Sequence, residues 1–66
     1  MTQDKERARW NMRRTRYELE NGTASSDDIT KAIETATKVG MEPYEILEAA
    51  EDGEYHYKIS HRRKKP

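Results

Sequence analysis

From Gln3 to Glu20 the apolar positions recur at helical spacing. At about 100° per residue, Ala8, Met12, Thr15 and Leu19 fall on one face. Trp10, Arg13, Arg14 and Tyr17 fall on the other. The stretch contains no Gly or Pro, and Asn21-Gly22 ends it with a left-handed C-terminal cap. The pattern predicts a first helix over 3–20. An ordinary surface helix shows one apolar stripe. Here the two largest rings stand opposite the aliphatic stripe, among arginines.

"GTASSDD" then reads as a short polar turn. Ser25 or Ser26 suits a helix N-cap, and Asp27 and Asp28 suit the positive end of the helix dipole. A second helix follows over 27–39, with Ile29, Ala32, Ile33 and Ala36 at helical spacing, and Val39-Gly40-Met41 ends it. Pro43 fits the first position of a third helix over 43–52, after Glu42. Tyr44, Ile46, Leu47 and Ala50 are its apolar positions, and Asp52-Gly53 reads as its stop. The core expected from these stripes is Met12, Leu19, Ile29, Ile33, Ala36, Val39, Ile46, Leu47 and Ala50.

After Gly53 the period changes. In "EYHYKIS", Tyr55, Tyr57 and Ile59 alternate with His56, Lys58 and Ser60, which predicts a short strand over 54–60. The chain offers no second strand to pair with it. Such a segment stays irregular, pairs with its copy in a homodimer, or adds to the edge of a partner's sheet. The final "HRRKKP" is expected to be disordered. The fold class expected is all-α: three short helices around a small core in residues 1–53. Residues 54–66 would form an extended segment and a weakly ordered basic tail.

Composition sharpens this picture. Of 66 residues, 32% are hydrophobic and 39% charged, and there is no Phe. A chain this short buries only about 60% of the surface its unfolded form exposes. The stability to expect is about 3–5 kcal/mol. The absence of cysteine excludes disulfides and thiolate metal sites. No apolar run reaches the roughly 18 residues of a membrane span, so no membrane association is expected. "MTQDKERARW" lacks the apolar stretch of a signal peptide, which makes the cytoplasm the expected location.

The formal net charge of zero hides a segregated pattern. Residues 1–20 carry six basic and four acidic side chains, a balance of +2. Residues 21–54 carry two basic and nine acidic, a balance of -7. Residues 55–66 carry five basic and none acidic, a balance of +5. Charge asymmetry of this kind bears on partners more than on fold.

The candidate binding residues follow from it. Aromatic rings stack on bases and arginines neutralise phosphates. Arg9, Trp10, Arg13, Arg14, Arg16 and Tyr17 of the first helix, with Lys58, Arg62, Arg63, Lys64 and Lys65, form the expected nucleic-acid-binding set. Trp and Arg are also enriched at protein–protein hot spots, so the same surface suits a protein partner. The function expected is a non-enzymatic, nucleic-acid-associated regulatory or accessory protein. The alternative is an adaptor or inhibitor that presents its acidic second and third helices to a larger protein. Small proteins of either kind are common in phages and mobile elements.

The turn between the second and third helices resembles the helix-turn-helix of phage-repressor-like DNA-binding proteins. The matching residues in "ATKVGMEPYEIL" are Ala36, Val39, Gly40, Met41 and Ile46. The resemblance covers about twenty residues and implies that the third helix enters a major groove. Charge opposes that role: Glu42, Glu45, Glu48, Glu51 and Asp52 occupy the helix without a single Lys or Arg. Duplex DNA carries about one phosphate charge per 1.7 Å of axis.

Nothing points to catalysis. His56 and His61 lack a third ligand, so no metal is expected. Ser25, Ser26 and Ser60 have no pattern of base and orienting acid. No Gly-rich phosphate loop and no cofactor motif is present. No enzyme activity and no cofactor is expected.

Overall fold

The computed structural model describes residues 2–62, with the side chains of residues 3–61. It contains three helices: α1 (Thr2–Asn21), α2 (Ser26–Lys38) and α3 (Pro43–Arg62). The tail residues Arg63, Lys64, Lys65 and Pro66, and the side chain of Arg62, lie outside the described residues.

Local signals set the end of α1, both ends of α2 and the start of α3. Gly22 has a φ of 85°. Its N–H donates to Leu19 O at 3.2 Å, and the Thr23 N–H donates to Glu18 O at 2.8 Å. These two bonds close α1 with a Schellman motif. The same geometry closes α2. Gly40 has a φ of 94°, its N–H donates to Thr37 O at 3.1 Å, and Met41 N–H donates to Ala36 O at 3.0 Å. Met41 is then carried into the core against Ala36. Ser25 and Asp28 form a reciprocal capping box at the start of α2. At the start of α3 the Glu45 carboxylate accepts from the Glu42 N–H at 2.8 Å.

α1 is the central element. α2 and α3 both pack on it, most extensively α3, while α2 and α3 barely meet each other. α1 and α3 run in parallel. Lys5 and Arg9 near the start of α1 reach Glu45 near the start of α3. Tyr17 and Tyr57 meet further along the same two helices.

The core is made of small residues. Ala8, Met12, Ala32, Ala36, Met41 and Ala49 are buried, and Met12 is the largest fully buried side chain. Ile29, Val39, Ile46 and Ala50 pack around them, half-buried, and Leu19 is also half-buried. Two expected core residues lie elsewhere: Ile33 is 40% and Leu47 is 59% exposed. The reason is the arrangement of the helices. Both α2 and α3 approach α1 through alanines, so the tightest packing falls at Ala32, Ala36 and Ala49. Because α2 and α3 scarcely pack on each other, nothing covers the flanks on which Ile33 and Leu47 sit.

The expected stop at Asp52-Gly53 and the expected strand over 54–60 are both overturned, since α3 continues to Arg62. Gly53 is buried in mid-helix, where α1 and α3 touch. A Cβ built on it would lie 2.3 Å from the Arg13 carbonyl oxygen and 2.9 Å from the Arg16 Cβ. The glycine ends nothing; its missing side chain admits the backbone of α1. A strand over 54–60 would leave its amide groups without partners, whereas the helix satisfies them internally. Tyr57 then turns toward α1, with its ring 5.9 Å from Tyr17 in an edge-to-face pair, and Tyr55 turns to solvent.

Candidate functional site

The seam between α1 and α3 opens into a groove of about 320 Å³, lined by Trp10, Arg13, Arg14, Tyr17, Gly53, His56 and Ser60. α1 supplies Trp10, Arg13, Arg14 and Tyr17 because residues three and four apart share a helix face. α3 supplies Gly53, His56 and Ser60 by the same spacing, but only because it continues through Gly53.

Trp10 is 56% exposed. The Arg14 guanidinium lies 5.4 Å from its ring centroid, within cation–π range. The Arg13 guanidinium is hydrogen-bonded to His56 Nε2. Arginine only donates, so Nε2 is the acceptor of this pair. Further along the seam the Tyr57 ring lies 3.9 Å from that of His61. Tyr17, Tyr57 and His61 thus extend a row of rings toward the end of α3.

Five basic residues are tied to the protein's own carboxylates. Lys5 and Arg9 bind Glu45 at 3.3 and 3.2 Å. Arg14 binds Glu18 at 3.1 Å. Arg16 binds Glu20 at 2.6 Å and approaches Glu54 at 3.8 Å. Its Nε is buried without a partner, which makes Arg16 a tie within the seam. Lys58 is exposed and bound to Glu54 at 3.4 Å. Glu45 titrates below its ordinary value of 4.5: first because it accepts from the Glu42 N–H, against a smaller opposing effect of desolvation, then because of Lys5 and Arg9.

Of the residues expected from sequence to bind nucleic acid, the fold therefore gathers Trp10, Arg13, Arg14 and Tyr17 into one groove. Arg9, Arg16 and Lys58 lie outside its lining. Arg62, Arg63, Lys64 and Lys65 are those whose side chains lie outside the described residues. Gly53, His56 and Ser60 are lining residues that the strand reading hid. Read as one helix over 43–62, the spacing of Ala49, Gly53, His56 and Ser60 puts all four on one face.

A second surface is distinct in character. Tyr44, Leu47 and Tyr55 are exposed on α3, at spacings that put them on one side of the helix. Glu48, Glu51 and Asp52 are exposed around them. Among the described residues no helix is long and apolar enough to cross a membrane, and no group of three His, Asp or Glu is placed to hold a metal ion. Comparison of the chain with protein-family models, with curated proteins and with solved structures finds no match in any of the three.

Proposed function

We propose that this is a small, non-enzymatic nucleic-acid-binding protein of the cytoplasm, regulatory or accessory in role. It engages the polyanion through the α1–α3 groove and the basic tail. One observation carries the reading: Trp10, Arg13, Arg14 and Tyr17 of α1 share a groove with His56 and Ser60 of α3. The ion pairs of the surface do not stand in the way. Exposed pairs contribute about 0–1 kcal/mol each, so a phosphate readily replaces Glu18 at Arg14, where the arginine side chain is 60% exposed. The acidic α2 and the outer face of α3 are separate from the groove lining, which favours docking through one side of the protein.

The test is a salt-dependent binding titration with generic duplex DNA and single-stranded RNA. Removing one cation that engages a phosphate lowers the log–log salt slope by about 0.9 for duplex DNA. Deleting residues 62–66 is expected to flatten the slope by roughly three to four units, since that segment carries four cations. Absence of binding to either nucleic acid at low salt refutes the proposal.

The adaptor reading has its own support in Tyr44, Leu47 and Tyr55, exposed among carboxylates on α3. Apolar groups rimmed by acids fit a basic protein surface. An adaptor of that kind leaves both nucleic acids unbound in the same titration.

A further inference from the structure

Resting on the nucleic-acid reading, we infer that the α1–α3 groove takes one unstacked base of a single strand. The base stacks on the Trp10 ring, and its neighbouring phosphate meets Arg13. Four features carry this. Trp10 is more than half exposed. Arg14 sits over the ring, so the indole is oriented before any ligand arrives and loses little freedom on binding. The groove, at about 320 Å³, lies at the small end of ligand sites. It has room for a base and its flanking phosphate, not for the width of a duplex. Its polar groups are those a base edge and a phosphate need: the Ser60 hydroxyl, the His56 imidazole and the Arg13 guanidinium.

A duplex keeps its base faces stacked inside, so Trp10 has nothing to offer it. The cationic tail, by contrast, attracts either form through phosphates alone. Selectivity for single strands therefore resides in the groove, and general affinity in the tail. Every base presents a π-face, so the site is tolerant of sequence.

Trp10 is the only tryptophan in the chain, and its fluorescence reports base stacking directly. The probes are single-stranded oligo(dT) and oligo(rU), and the oligo(dA)·oligo(dT) duplex. The single strands are expected to quench Trp10 on binding, and the duplex to bind without quenching. Trp10→Ala is expected to weaken single-strand binding by about 5- to 150-fold and duplex binding much less. Trp10→Phe, which retains a ring, should recover most of the affinity. The exposed position makes both variants compatible with folding, and helical circular dichroism verifies it. The inference is overturned if single strands bind without quenching, if Trp10→Ala weakens both forms equally or neither, or if only the duplex binds. In each of those cases nucleic-acid binding itself stands. If neither form binds, the binding reading falls and the inference with it.

Discussion

Gly53→Ala is expected to destabilise this protein, although alanine is the best helix former and Gly53 lies in the middle of a helix. The helix-propensity gain favours alanine by about 0.8–1.0 kcal/mol. The tertiary cost is larger. The new Cβ would stand 2.3 Å from the Arg13 carbonyl oxygen and 2.9 Å from the Arg16 Cβ, where ordinary contact begins at 3.4 Å. The nearer atom belongs to backbone and cannot rotate aside. α3 must therefore move away from α1 by about 1 Å. A gap of that size forfeits a quarter to a half of the dispersion energy of atoms along the seam. Overpacking of this kind costs about 1–3 kcal/mol, and a backbone clash lies toward the upper end. The net destabilisation is about 1–2 kcal/mol, a large part of the roughly 3–5 kcal/mol available to so small a core. Thermal unfolding followed by circular dichroism should show the midpoint falling by about 4–16 °C. Asp52→Ala, at the exposed neighbouring position, isolates the propensity effect and should not lower the midpoint. A Gly53→Ala protein as stable as the parent, or more so, would show that the helices do not approach at this point.

The core makes a paired prediction. Met12→Ala is expected to cost about 2–5 kcal/mol and to leave the chain largely unfolded, because Met12 is only 2% exposed. Ile33→Ala, at a site 40% exposed, should cost about 1 kcal/mol or less; chemical denaturation of the two variants would contradict this core if their order were reversed. Glu45 joins the start of α3 to Lys5 and Arg9, and its pKa is lowered in the fold. A lowered carboxylate pKa adds stability that is present above its unfolded value and vanishes as pH falls through its folded one. Stability should accordingly decline below about pH 4.5, and Glu45→Gln should reduce the part of that decline that the parent shows. An unchanged acid limb in the variant would remove Glu45 from this role.

The local signals of the chain determined where α1 and α2 end and where α2 and α3 begin. Gly22 and Gly40 close their helices because the backbone there must enter the left-handed region, a requirement set by a few neighbouring residues. The Ser25–Asp28 box and Pro43 act over equally short distances. The face of α1 was legible for the same reason: a helix period alone separates Ala8 and Met12 from Trp10, so the exposure of that ring follows from sequence. The choice between helix and strand over 54–60 was not legible there, since Tyr55, Tyr57 and Ile59 satisfy a period of two in any conformation. It was decided by α1, which supplies Tyr17 for Tyr57 to pack against and a carbonyl at Arg13 that only a glycine can approach. Tertiary structure also decided which apolar residues are buried. Ile33 and Leu47 lie on correct stripes, but α2 and α3 both pack on α1 through alanines and leave those flanks uncovered. The groove was decided in the same way. Its α1 side is a helix face readable from spacing, while its α3 side exists only once two helices distant in sequence lie in parallel, an arrangement that no local pattern encodes.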